Sequence, residues 1–148
     1  MLSPILILGI GNILLGDEGV GVHVVKELEK KKYPAHVRIL DGGTGGFHLL
    51  ELFKDYQKII MIDATLDNNK PGTVNLLKPK YSNEFPKTLS SHDIGLKDLV
   101  ESSALLGFMP EISLITVSIN ENQPINMELS EEVEKSIPEV IALIDRLI

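Results

Sequence analysis

Four side chains have types and placements that could do chemistry: Glu18, Asp41, Asp63 and His92. Glu18 follows Asp17 at the mouth of the first expected helix, and Asp41 opens a glycine-rich stretch. Asp63 ends an apolar strand, and His92 stands in Ser90-Ser91-His92-Asp93 before another helix. Taken singly, each has a bland reading: an Asp after a strand ordinarily begins a turn, and a His at a helix start ordinarily caps it or lies on the surface. Together they read differently. If the first three strands are parallel, Glu18, Asp41 and Asp63 all fall at the carboxyl edge of one sheet, where α/β proteins bind ligands. His92 needs only to fold over that edge. Two carboxylates and one imidazole make a three-ligand set with an open position, suited to a borderline divalent ion such as zinc or nickel.

The glycines around these residues have two readings each. Gly9-Ile-Gly-Asn-Ile-Leu-Leu-Gly16 lies between a strand and a helix, where a phosphate loop would sit. The dinucleotide pattern G-x-G-x-x-G requires glycine where Leu14 stands, and no Gly-Lys-Ser/Thr opens the helix. Asp17 and Glu18 would also repel a pyrophosphate from the helix amides, while welcoming a cation. On the bland reading the glycines turn the chain and Asp17 caps the helix, which leaves Glu18 unexplained because one cap suffices. Asp41-Gly-Gly-Thr-Gly-Gly46 has four glycines in six residues. It is either a flexible turn or a backbone surface against which an extended peptide can lie. As a ribose ligand, Asp41 would come 32 residues after Gly9, beyond the usual spacing of roughly 20.

The elements that must position these residues alternate. Pro4–Gly9 is an apolar run expected of a strand buried on both faces. Gly19–Lys31 carries Val20, Val24, Val25 and Leu28 at helical spacing and ends in Lys30, Lys31 and Lys32. A strand over His36–Leu40, a short helix over Gly46–Phe53 and a strand over Lys58–Ile62 complete a β-α-β-α-β pattern, which predicts a parallel sheet. The link Asn68-Asn69-Lys70-Pro71-Gly72 is too short for a crossover helix, so the strand Thr73–Leu77 is expected to be antiparallel or at an edge. Lys78–Asp93 is a long polar loop. Gly95–Leu106 is a helix with a stripe of Leu96, Leu99, Val100, Ser103 and Leu106, and Ile112–Ser118 is the last strand. The final helix opens at Ser130-Glu131-Glu132 and buries Val133, Ile137, Val140, Ile141, Ile144 and Ile148, with Pro138 expected to kink or restart it.

Composition narrows the chemistry further. The chain has 148 residues, a formal charge of −7 and no cysteine. One domain spanning 1–148 is expected at that length. Thiolate metal sites, disulfides and cysteine nucleophiles are excluded, so a metal site must use His, Asp and Glu. Acidity argues against nucleic acid as a partner. Met1–Pro4 lacks a basic side chain, and no apolar run is long enough for a signal peptide or a membrane span, so a cytoplasmic protein without membrane insertion is expected. Of the other histidines, His23 is expected on the outer face of its helix, His36 near the opposite sheet edge and His48 at the surface. The Ser102-Ser103 pair reads as structural, and there is neither a G-x-S-x-G elbow nor an H-E-x-x-H helix.

Gly9-Ile-Gly-Asn-Ile-Leu-Leu-Gly-Asp-Glu-Gly-Val-Gly21, Asp41-Gly-Gly-Thr-Gly, Asp63 and Ser91-His92 together resemble, in order and spacing, the hydrogenase maturation endopeptidases. The resemblance covers nearly the whole chain. It implies an α/β three-layer sandwich, with a mostly parallel twisted sheet of about five strands, one of them antiparallel, and helices on both faces. It implies removal of a C-terminal peptide from the large-subunit precursor of a nickel–iron hydrogenase after nickel insertion. It places Glu18, Asp63 and His92 on the metal, and ties Asp41 with Gly42, Gly43, Thr44 and Gly45 to substrate recognition or cleavage. Asp41 and Glu18 are thus the catalytic candidates. Many relatives carry Asp where this chain has Glu18, so the carboxylate is kept and its reach altered. The nickel is either the precursor's own, sensed by these residues, or resident, and zinc or cadmium is expected to substitute in vitro. Two other classes compete: a non-catalytic nickel-binding chaperone and a nucleotide-binding module.

Overall fold

The computed structural model describes residues 2–44, 49–86 and 96–148. Five strands, β1 (Ile5–Gly9), β2 (Val37–Asp41), β3 (Lys58–Thr65), β4 (Val74–Leu77) and β5 (Glu111–Ser118), form one sheet in the order β2-β1-β3-β5-β4. The β1–β2, β1–β3 and β3–β5 pairs are parallel, and β4 runs antiparallel to β5 at an edge. The turn before β4 explains that edge. It reverses through positive φ at Asn68 and Gly72, and Gly72 N donates to Ser118 O at 2.9 Å, delivering the chain straight back onto β5.

The helices are α1 (Val20–Leu28), α2 (Leu50–Asp55), α3 (Leu96–Leu105), α4 (Glu131–Glu134) and α5 (Ile137–Leu147), with a 3-10 turn at Gly16–Gly19 leading into α1. Successive strand residues point to opposite faces. Ile7, Ile60, Ile62 and Ile115 therefore pack with Val24 and Leu28 of α1 and Val140 and Ile144 of α5. Leu6, Leu8, Ile59, Met61 and Leu114 pack on the other face with Phe53 of α2 and Leu99 of α3. The sheet is covered on both faces, which is why its central strands read as continuous apolar runs. The expected three-layer α/β architecture is the observed one. No helix among the described residues is long and apolar enough to cross a membrane.

Several boundaries differ from expectation for physical reasons. β3 runs on to Thr65 because β5 keeps pairing with it, through Asp63↔Thr116 to Thr65↔Ser118. Asp63 therefore lies within the strand and not at its end. The short second helix begins at Leu50 and reaches Asp55; the expected start at Gly46 lies outside the described residues, as does the Gly95 start of α3. Leu106 and Ile148, expected in buried stripes, are exposed because each follows the end of its helix. The expected restart at Pro138 is observed: the last helix breaks at Lys135-Ser136, and Pro138 sits in the first turn of α5, where no amide hydrogen is missed. The long loop after β4 contains a 3-10 turn at Ser82–Glu84 followed by the buried Phe85.

Candidate active site at the carboxyl edge of the sheet

The residues of the first glycine motif fold back on themselves at the end of β1. A Cβ on Gly9 would stand 2.3 Å from Gly21 O, and one on Gly21 would stand 2.4 Å from both Ile10 O and Ile62 O. These two glycines are therefore where α1 is pressed against the sheet, and no larger residue fits. Ile10 N donates to Ile62 O at 2.9 Å, so β1 stays fastened to β3 as it leaves the sheet. The 3-10 turn carrying Glu18 packs against β3, and a Cβ on Gly11 would fall 2.0 Å from Glu18 O. Glu18 is half-buried at this point.

Asp41 is the register partner of Gly9. Past it, Gly42 N donates to Gly9 O at 2.8 Å and Gly43 O accepts from Gly11 N at 2.7 Å, so the second glycine stretch lies along the first. Asp41 Oδ1 accepts from Gly43 N at 2.8 Å, an Asx turn that fixes the start of the loop while the carboxylate stays exposed. Gly43 has φ 57° and an open side where a Cβ would be, consistent with a backbone surface presented outward. Thr44 follows, half-buried.

Asp63 comes from the neighbouring strand and is fully buried, with Oδ1 accepting from Ala64 N at 2.8 Å. It extends the face formed by Ile59 and Met61. At this end of the sheet that face turns polar: Thr65, Thr116 and Ser118 are also buried, with Thr116 in register with Asp63 and Thr65 in register with Ser118. Sequence reasoning missed these three residues. Their signal was present as the i, i+2 spacing of Asp63-Thr65 and Thr116-Ser118 in otherwise apolar strands.

The structure thus brings Glu18, Asp41 with Gly42–Thr44, and Asp63 to one edge. His92 and Gly45 lie outside the described residues, as do Gly46 and His48. Among the described residues, no three His, Asp or Glu side chains converge as a metal cluster. The donor set nevertheless fits a divalent ion in kind. Glu18 and Asp63 are oxygen donors at the same edge, and a wholly buried carboxylate such as Asp63 persists in a core only where hydrogen bonds, a cation or a metal compensate it.

Two adjacent features correct the sequence reading. Asp17 does not cap the helix it precedes. It is buried, and its carboxylate reaches across to Ser130 at the start of α4, accepting from Ser130 N and Oγ at 2.7 Å each. His23 is not on an outer face: it is half-buried in a cleft with Lys26, Met127 and Glu134. Burial pushes its imidazole below the ordinary value of 6.5, Lys26 lowers it further, and the Met127 carbonyl, Glu134 and Asp17 oppose the shift.

The amides a phosphate would need are already engaged. Gly11 N is bound to Gly43 O, Leu14 N to Asn12 Oδ1, Gly16 N to Asn126 O, and Asp17 N to Gln123 Oε1. This glycine loop is a packing device, not a cradle for an anion.

The chain is thus an open, mostly parallel α/β domain of strand order β2-β1-β3-β5-β4 with carboxylates gathered at its carboxyl edge, and the described amides of its first glycine loop are engaged within the protein. The hydrogenase maturation protease family matches residues 22–146. The hydrogenase 2 maturation protease of Escherichia coli K12 is 33% identical over 145 residues, covering 93% of this chain and 88% of that protein. The hydrogenase expression/formation protein HupD of Rhodobacter capsulatus is 38% identical over 109 residues, 72% of this chain, and the match spans only about half (52%) of its length. The structure of the E. coli hydrogenase maturating endopeptidase HybD superposes with a TM-score of 0.85 at 35% identity, over 95% of this chain and 89% of that one. The chain belongs to the hydrogenase maturation protease family.

Proposed function

We propose that this protein is an endopeptidase that removes a C-terminal peptide from the nickel-loaded large-subunit precursor of a nickel–iron hydrogenase, acting as a cytoplasmic enzyme. The observation that carries the proposal is the gathering of Glu18, Asp41 and Asp63 at one sheet edge in a member of this family. Glu18 and Asp63, joined by His92, contact the nickel that arrives in the precursor, so the ion is part of the substrate and its presence reports that insertion is complete. Zinc or cadmium would occupy the same donors in vitro. The precursor's peptide lies in extended form along Gly42–Gly45, where the absence of side chains lets the two backbones approach.

Cleavage needs a proton acceptor for the attacking water and polarisation of the scissile carbonyl. Asp41 is suited to the first task, because its Asx turn holds one oxygen in place while the carboxylate remains open to solvent. Glu18 serves as metal contact and as the second catalytic carboxylate. A non-catalytic nickel chaperone would use the same donors but leave Asp41 and the glycine loop without a task. A nucleotide-binding role is disfavoured by the engaged loop amides.

The test is to incubate the protein with nickel-loaded and nickel-free precursor and weigh the large subunit. Loss of a short C-terminal peptide is expected only with nickel present, and neither Glu18→Ala nor His92→Ala should release it. An unchanged mass for nickel-loaded precursor would refute the proposal. Tight nickel binding by the isolated protein without cleavage would favour the chaperone.

A further inference from the structure

We infer that Asp17 is a positioning residue for Glu18, acting through a strap formed by residues 120–130. The inference rests on the role given to Glu18 above. Three hydrogen bonds link the strap to the turn that carries Glu18, apart from those of Ser130. Asp17 N donates to Gln123 Oε1 at 2.8 Å, and Gln123 Nε2 is itself anchored on Asn120 O at 2.8 Å. Gly16 N donates to Asn126 O at 2.7 Å, and Asn126 N donates to Leu14 O at 3.0 Å, pairing Leu15 with Asn126 as a short parallel bridge. Gly16 holds φ 51°, and a Cβ there would stand 2.7 Å from Gln123 Oε1, so the turn and the strap are shaped to each other.

Asp17 fastens the other end. Both carboxylate oxygens accept from Ser130, one from its amide and one from its hydroxyl. That hydroxyl in turn caps α4 by accepting from Val133 N at 3.4 Å. The buried Asp17 therefore joins the turn at Gly16–Gly19 to the N-terminus of α4, where a carboxylate is also favoured by the helix dipole. On the opposite side Gly11 and Gly19 press against Glu18 O and Ile13. The residue that bears the Glu18 side chain is clamped between the sheet edge and the strap. If Asp17 served only to cap α4, the bonds from Gln123 and Asn126 to the backbone of residues 14–17 would have no part in it. They are what ties the strap to Glu18.

The test uses the full chain and two readouts: amide exchange of residues 14–18, and kcat and KM for cleavage of nickel-loaded precursor. Ser130→Ala and Gln123→Ala are each expected to speed exchange at 14–18 by about ten-fold and to lower kcat by about ten-fold, with KM within roughly two-fold. Ser130→Thr keeps the hydroxyl and is expected to restore both. Ile144→Val, which removes one methyl from the far core, controls for stability and should change neither at a matched loss in urea midpoint. Unaltered exchange at 14–18 in both alanine variants would overturn the inference, as would an equal fall in kcat for Ile144→Val. Should the wild-type protein fail to cleave the precursor, the functional reading fails, while the exchange data still decide whether the strap holds the turn.

Discussion

Asp17 and Glu18 are neighbouring carboxylates of one charge, and their surroundings give them different work. Asp17 is spent on Ser130, 113 positions away in the chain, and could not act on a substrate without releasing that bond. Glu18 is left at the mouth of the site. The sequence alone shows that one carboxylate suffices to cap and that a second needs another reason. It cannot show that Asp17 instead holds the N-cap serine of a distant helix, because nothing local links Asp17 to Ser130. Asp41 offers the sharper test of chemistry at this scale. Asp41→Asn still accepts from Gly43 N, so the Asx turn survives, but the proton acceptor is gone. We expect kcat for precursor cleavage to fall by about 10²–10⁴, the usual span for general-base loss, with little change in thermal midpoint. An unchanged kcat would reduce Asp41 to a turn residue.

At the scale of elements, periodicity was a good guide wherever burial was two-sided. β1, β3 and β5 are runs such as Ile5–Leu8 and Ile112–Val117, and the hydrophobic effect leaves them no partner but a sheet covered on both faces. The antiparallel placement of β4 was legible too, since five turn residues cannot span a crossover. Element ends were less so. That Asp63 lies inside β3 follows from pairing with β5, and the sequence of β3 carries no signal of its partner's length. Similarly, the glycines of the first motif could be read as a turn or a cradle, and only the approach of Gly21 to Ile10 O and Ile62 O shows that they seat α1. This yields a contrast. Gly21→Ala forces a methyl to 2.4 Å from two backbone oxygens and is expected to cost about 1–3 kcal/mol of overpacking, displacing the start of α1 and with it the preceding turn that carries Glu18. Gly43→Ala meets open space and should cost only the roughly 1–2 kcal/mol of its left-handed conformation. Urea unfolding of both variants, with cleavage assayed on the folded fraction, separates them: a fully active Gly21→Ala would mean that Glu18 does not depend on this seat.

Across the whole molecule, the distribution of titratable groups predicts how stability follows pH. His23 lies in the cleft between α1, the strap and α4, and burial keeps its folded value below 6.5. The unfolded chain therefore binds the proton first, so stability falls as pH drops below about 6.5 and levels off once the folded imidazole also protonates. Asp145 is the opposite chemical type with the same consequence at lower pH. Its bond to Lys31 at 2.8 Å, helped by Tyr33 Oη at 2.9 Å, holds its carboxyl below the ordinary 3.8 despite some desolvation. Asp67 is pushed up by burial but brought below 3.8 by the nearby Ser118 hydroxyl and by the hydrogen bonds that Asn69 donates to it. The stabilisation from both carboxylates is complete above about 3.8 and is lost as pH falls through their depressed folded values. Two steps should therefore appear in the urea midpoint between pH 7 and pH 2. His23→Gln is expected to flatten the upper step and leave the lower one, whereas Asp145→Asn should shrink only the lower. The upper step sits in the cleft beneath the strap, so the protection of amides 14–18, taken relative to their intrinsic exchange rate at each pH, should fall over the same pH interval in the wild type and not in His23→Gln. A single step, unaltered by His23→Gln, would show that this histidine does not link the strap to the body of the fold.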